Sequence, residues 1–205
     1  MDDVLLAAAR AAIGFMPDEE GLALYAAGVA AAQLGPLLEI GTYCGKSAIY
    51  LGAAARVGGS VLYTVDHHRG SEENQAGWAH HDERLVDART GRMDTLPWFR
   101  RTIEAAGLED VVIAVIGSSP TIAAHWATSL GLVFVDGGHA FDVALADYEG
   151  WARFVVAGGA LVFHDVFEDP AEGGQAPYEV WKRAVASGDF EPASTTGSLR
   201  VLRRR

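Results

Sequence analysis

Apolar residues along this chain fall into two spacings: short unbroken runs that suit buried strands, and longer Ala/Leu-rich stretches that suit helices. Residues 3–12 suit a short helix, which Gly14 and Pro17 interrupt. A second helix is predicted from Asp18, as N-cap, to about Leu34, with Glu19 and Glu20 in the first turn and Gly35-Pro36 as the stop. Leu37 to Ile40 reads as a buried strand, followed by a glycine turn and an Ala-rich helix to Ala55. Further strands are expected at Ser60–Val65, Val111–Ile116, Leu132–Val135 and Ala160–Phe163. Helices are expected from Thr95 to Gly107, from Pro120 to Trp126, from Phe141 to Phe154 and from Tyr178 to Ala186. Phe190-Glu191 and Ser198–Leu202 read as a closing hairpin at the sheet edge. Strands that alternate with helices predict an α/β fold with a parallel sheet. The segment from His67 to about Asp94 breaks the rhythm: it is polar, lacks clean periodicity and reads as an inserted loop over a substrate.

A length of 205 residues suits a single domain, and 50% hydrophobic with 21% charged residues describes a globular chain. No apolar run approaches the roughly 20 residues that a bilayer requires. Met1-Asp2-Asp3 does not resemble a secretory signal, and the single cysteine, Cys44, excludes internal disulfides; both favour a cytoplasmic location. The net charge of -11 argues against a nucleic-acid partner, and Arg203-Arg204-Arg205 reads as a solvated end.

The chemistry concentrates at the ends of the predicted strands. Glu39-Ile40-Gly41-Thr42-Tyr43-Cys44-Gly45 gives the pattern Glu-x-Gly-x-x-x-Gly, a turn that presents free backbone N–H groups and a helix N-terminus to a ligand. It is not the Gly-x-Gly-x-x-Gly of dinucleotide folds. Nor is it a P-loop, despite Gly45-Lys46-Ser47, because Ile40 stands where that motif needs glycine. Asp66 ends the second strand, where an acid accepts hydrogen bonds from a ribose diol. The insert carries His67, His68, His80 and His81, but as adjacent pairs without zinc-ligand spacing, and Trp78 offers an aromatic face. Asp136-Gly137-Gly138-His139 and His164-Asp165 bring acids to the same sheet edge, where a hard divalent cation such as Mg²⁺ would balance them. A loop histidine suits general-base work near pH 7, while the bland role for the acids is helix capping.

The glycine turn resembles motif I of class I S-adenosylmethionine-dependent methyltransferases. Asp136-x-x-His139 is similar to the Asp-x-x-Lys of catechol-type and the Asp-x-x-His of metal-dependent sugar O-methyltransferases. The opening helices, the segment Glu39–Ser47 and the run Val65–Asn74 are similar to mycobacterial sugar 1-O-methyltransferases of methylmannose polysaccharide synthesis. The resemblance covers about residues 35 to 202. It implies a Rossmann-like sheet of seven mostly parallel strands, the last antiparallel, with helices on both faces and two extra N-terminal helices. Those helices either cover a sheet edge, pair with another subunit or close over the cofactor.

The resemblance also implies roles. Glu39, Gly41, Thr42, Gly45, Ser47, Asp66, His67, Ser118 and Asp136 would bind S-adenosylmethionine. Asp136, Asp165 and His164 would hold the metal, and His139 would be the base. Where relatives carry a further Asn or Asp ligand this chain has Val166, so the third ligand is open between His164, the histidine-rich insert and water. The implied acceptor is a small molecule or oligosaccharide, in the narrowest form a partly methylated mannoside methylated at its 1-OH, and a homodimer is expected. A phenolic acceptor and a non-catalytic nucleotide-binding module remain the alternatives.

Overall fold

The computed structural model describes residues 1–205 except 76 and 79. Two helices open the chain, α1 (Asp3–Ala11) and α2 (Asp18–Ala32), followed by β1 (Leu37–Ile40), α3 (Lys46–Val57) and β2 (Leu62–Asp66). After the insert, with its two-residue strands β3 (Val86–Asp87) and β4 (Arg92–Met93), come α4 (Leu96–Ala105), β5 (Val112–Ile116) and α5 (Ser119–Ala124). The chain ends with β6 (Leu130–Val135), α6 (Phe141–Trp151), β7 (Val155–Phe163), α7 (Ala176–Ala186), β8 (Phe190–Thr196) and β9 (Leu199–Arg204). Among the described residues no helix is long and apolar enough to cross a membrane.

The main sheet has the order β5-β2-β1-β6-β7-β9-β8, and only β9 runs antiparallel to its neighbours. Successive residues of a strand face opposite sides, so one apolar run supplies two cores. Leu37, Leu132 and Phe134 pack with α1 to α4, while Leu38, Ile40, Val133 and Val135 pack with α5 to α7. Both faces are thus covered, the physical reason the central strands read as unbroken apolar runs. Close crossing of α2 and α3 needs small residues: a Cβ on Gly28 would lie 2.7 Å from that of Ala54.

The sequence placed the elements well and several boundaries less well. β7 begins at Val155 rather than Ala160, and β8 runs seven residues where a two-residue strand was expected. Asp18 is the first residue of α2 and not its N-cap; Pro17 holds that position, and the Asp18 carboxylate accepts instead from Arg10 Nε at 2.5 Å. The insert is folded rather than featureless, with 3₁₀ turns at Glu72–Asn74 and Glu83–Leu85 and the β3–β4 pair. Its Leu85 and Met93 pack on Cys44, a contact too sparse to leave a periodic signature.

The chain lays β1, β2 and β5 outward in one direction, then returns to place β6 on the other side of β1. The crevice at the C-terminal tips of β1 and β6 is therefore the topological switch point of the sheet, the place where open α/β folds bind ligands.

Candidate active site

The turn after β1 reaches directly across this switch point. Gly41 (φ +93°) passes so close to the backbone carbonyl of Asp136, beyond β6, that any Cβ there would collide with it. Gly45 (φ +91°) then starts α3 with no side chain capping its first amides. Three non-glycine residues also adopt positive φ, namely Tyr43, His68 and Asp165, and each directly follows or lies just beyond the tip of β1, β2 or β7. Such conformations cost of order 1–3 kcal/mol and gather where a site over-determines the backbone.

Beneath the turn lies Glu39, fully buried. Thr64 Oγ1 donates to its Oε2 at 2.6 Å, while Oε1 has no hydrogen-bond partner among the described residues. Burial pushes the Glu39 carboxyl up to about 7, with the Ser47 and Thr64 hydroxyls holding it back from rising further. A buried, unpartnered carboxylate oxygen is costly unless a donor arrives from outside the chain. Thr42 is buried and shares its hydroxyl hydrogen bond with Thr64. At the tip of β2, Asp66 accepts the Tyr43 N–H at 2.8 Å and the His68 N–H at 2.7 Å, one on each oxygen. Each oxygen keeps a lone pair for a further donor. These features fit a nucleoside with a cationic amino-acid end: an ammonium toward Glu39, a diol toward Asp66, and backbone approach at Gly41.

Across the crevice, Asp136, His139 and Asp165 bring one ligand atom each within 4.8 Å of one another. His139 is the hub of this group. Its Nε2 lies 3.1 Å from Asp165 Oδ2, and its Nδ1 lies 3.0 Å from Glu73 Oε2. Its hydrogen bond to Asp165 raises the imidazole to about 9, against the opposing effect of burial and with help from Glu73 and Asp136.

His164 is held by acids on both sides of its ring. It is nearly fully buried, with Nε2 2.7 Å from Glu20 Oε2 and Nδ1 3.1 Å from Asp136 Oδ1 and 3.4 Å from Asp165 Oδ2. Burial opposes its charge, but Asp136, Asp165 and Glu20 outweigh it and push the ring up to about 12. Both of its ring nitrogens face carboxylates, and the ligand atoms that lie within 4.8 Å of one another come from Asp136, His139 and Asp165.

Burial raises Asp136, with His164 pulling the other way. Burial acts in the same sense on Asp165 but is outweighed by its bonds to His139 and His164, which hold it well below the ordinary carboxylate range. Burial also works against the charge of Glu20, and hydrogen bonds from His164 and Ser198 more than offset it, keeping the carboxyl below its ordinary value. The acids Glu20, Glu73, Asp136 and Asp165 thus outnumber the two imidazoles they surround, and their oxygen donors fit a hard divalent cation.

Glu20 and Glu73 were missed by sequence reasoning. Glu20 was read as a helix-dipole acid of α2, and Glu73, although inside the run Val65–Asn74 that carries the resemblance, was given no role of its own. Val166 is fully buried in the apolar core, so it supplies no ligand, as its side chain requires. Ser118 lies exposed just past β5, and Ser119 rather than Ser118 is tied inward, donating to Asp147 at 2.5 Å and accepting from Trp151 Nε1 at 2.8 Å. Ser47 is buried in the first turn of α3. In the insert, His67 is exposed beside Asp66, whereas His68 is buried against Thr95 and Phe99.

A cavity of about 750 Å³ opens from His164 and Asp165 between the α1–α2 link, the segment after β7 and the β8–β9 turn. Its lining carries five acids, Glu20, Asp165, Glu168, Asp169 and Glu172, with Phe15 and Phe167 as aromatic walls and Arg200 as the one arginine. Trp78, expected to face the acceptor, is not part of this wall; Phe15 is, packed edge-on against His80 at 4.9 Å.

A family model described as a methyltransferase domain matches residues 38–166. Among solved structures the fold is similar to cofactor-bound Rv0187 from MTB, at 20% identity and a TM-score of 0.67 over 98% of this chain and 88% of that one. It is also similar to the O-methyltransferase from Bacillus cereus in complex with SAH, at 18% identity and a TM-score of 0.66 over 100% and 92% of the two chains. A third is the O-methyltransferase TomG from Streptomyces achromogenes, involved in tomaymycin synthesis and solved with SAM, at 19% identity and a TM-score of 0.63 over 100% and 90%. At these identities the likeness is one of fold.

Proposed function

Because the chain belongs to the methyltransferase-domain family, we propose that it moves a methyl group from S-adenosylmethionine to a hydroxyl oxygen, with a sugar as the acceptor. The observation that carries this reading is the convergence of Asp136, His139 and Asp165, beside the turn of Gly41 and the Glu39 Oε1 that has no partner among the described residues. S-adenosylmethionine supplies a sulfonium methyl, whose C–S bond breaks as the acceptor oxygen bonds to the carbon. Glu39, Gly41, Thr42, Gly45 and Ser47 would hold its amino-acid end and Asp66 its ribose, with His67 and Ser118 at the rim.

A hydroxyl is a poor nucleophile until its proton leaves, so the residues around Asp165 decide the chemistry. A divalent cation held by Asp136 and Asp165, when bound, would lower the pKa of an acceptor hydroxyl beside them. His139, whose Nε2 faces Asp165 at 3.1 Å, would take the acceptor proton. His164, pinned by Glu20, keeps the two metal acids apart from the core and fixes their orientation.

The cavity favours a polyol. Carboxylates accept from paired hydroxyls, Phe15 and Phe167 offer apolar faces to a sugar ring, and the five acids would repel an anionic acceptor. A short, partly methylated mannoside with a free 1-OH is the narrowest acceptor consistent with this lining. The phenolic alternative would suit a flatter and less acidic wall.

The test is transfer of labelled methyl from S-adenosylmethionine over a panel of mannosides and catechols, with and without EDTA, for the wild type and His139→Gln. We expect mannoside turnover that EDTA suppresses and that His139→Gln lowers by about 10²–10⁴ with cofactor affinity intact. Turnover indifferent to EDTA would remove the metal. Turnover on catechols alone would replace the sugar.

A further inference from the structure

We propose that Glu73, presented by the 67–94 insert, is the positioning residue of the His139 base: it fixes which ring nitrogen is free to accept a proton and aims that nitrogen at Asp165. The inference rests on the reading of His139 as the base and assigns a task to a segment that otherwise stands apart from the sheet.

The geometry is specific. His139 follows β6 by four residues, on a loop of two glycines that fixes little by itself. Its ring is held at both ends, by Glu73 Oε2 at Nδ1 (3.0 Å) and by Asp165 Oδ2 at Nε2 (3.1 Å). A carboxylate can only accept, so the nitrogen facing Glu73 must carry a proton. Asp165 makes the same demand only while its charge is unclaimed. Once a cation or a donating acceptor hydroxyl occupies Asp165, Glu73 alone dictates the tautomer, and Nε2 is left with the lone pair. The hydrogen bond on one imidazole nitrogen setting the role of the other is a recurrent device of catalytic and metal-binding histidines.

Glu73 is itself held firmly enough to do this. It is the middle residue of the 3₁₀ turn Glu72–Asn74, which Ser71 and Asn74 cap reciprocally. The Ser71 N–H donates to Asn74 Oδ1 at 2.9 Å, and Gln75 Nε2 donates to the carbonyls of Ser71 (2.9 Å) and Arg69 (3.1 Å). At its root, Gly70 (φ +71°) leaves no room for a side chain against Met93 and Asn74. The turn is thus pinned to the sheet edge, and the carboxylate reaches the base from a pre-formed element.

The test reads the ring directly. ¹⁵N spectra of the His139 imidazole in the protein saturated with Mg²⁺ to engage Asp165, followed upward in pH until the ring is neutral, should show Nδ1 protonated and Nε2 bare. Glu73→Ala should move the ring toward the Nε2–H tautomer. It should also lower kcat for the acceptor about 10- to 100-fold, with the S-adenosylmethionine KM and the amide spectrum of the sheet unchanged. A wild-type ring protonated on Nε2 would overturn the proposal without any variant, and so would Glu73→Ala with unaltered tautomer and kcat. If His139→Gln retained full turnover, the base reading itself would fail. If His139→Gln were inactive while Glu73→Ala matched the wild type, only the positioning role would fall.

Discussion

Replacing Glu39 by Gln keeps the shape of a fully buried side chain and removes its charge. An acid whose carboxyl is raised from 4.5 to about 7 on folding binds more protons folded than unfolded. Its favourable contribution is therefore present below about 4.5 and is lost as pH rises through about 7. At 1.36 kcal/mol per tenfold, this gap corresponds to about 3 kcal/mol of penalty carried by the wild type at pH 8. Gln escapes that penalty but buries an amide whose N–H groups need partners, which costs about 1–2 kcal/mol if only the Ser47 hydroxyl answers. Glu39→Gln should thus unfold in urea at higher concentration than the wild type at pH 8, by about 1–2 kcal/mol, and the advantage should shrink as pH falls below about 7 and reverse near pH 4.5. Calorimetric titration at pH 8 should show the opposite for function: S-adenosylmethionine binding weakened at least tenfold, because the charge awaiting its ammonium is gone. Greater stability with poorer binding is what a residue kept for its ligand would display. A variant less stable than the wild type at pH 8, or one that binds the cofactor equally well, would refute the argument.

Two further outcomes follow from the same geometry. Gly41→Ala places a methyl against the Asp136 carbonyl in a left-handed backbone; a loss of about 2–4 kcal/mol, seen as a melting point roughly 5–15 °C lower, should accompany loss of cofactor binding, and a wild-type melting curve would contradict the close approach. Glu20→Gln leaves the buried His164 cation with one acid fewer, a change worth about 3–5 kcal/mol near pH 7. Because Glu20 is held below its ordinary value, its contribution is present above about 4.5 and is lost on acidification. The gap to the wild type should therefore close as pH falls below 4, and a gap independent of pH would argue against the ion pair.

Much of the molecule was legible from residue order because the signals are local. Strand identity followed from apolar runs, the tight turn at Gly41 and Gly45 from its glycines, and the acids at Asp66, Asp136 and Asp165 from their place at the ends of those runs. Those features need only a few neighbouring residues and the two-residue period of a strand. The partners of the two histidines were beyond that reach. Glu73 meets His139 across 66 positions and Glu20 meets His164 across 144. Neither acid differs, in its local sequence, from a solvated one. Folding alone placed Glu20 in a buried site against His164 and set Phe15 rather than Trp78 in the cavity wall. Apolar burial is written as a period along the chain; the pairing of charges is decided by which loops the sheet brings together, and so only by the tertiary structure.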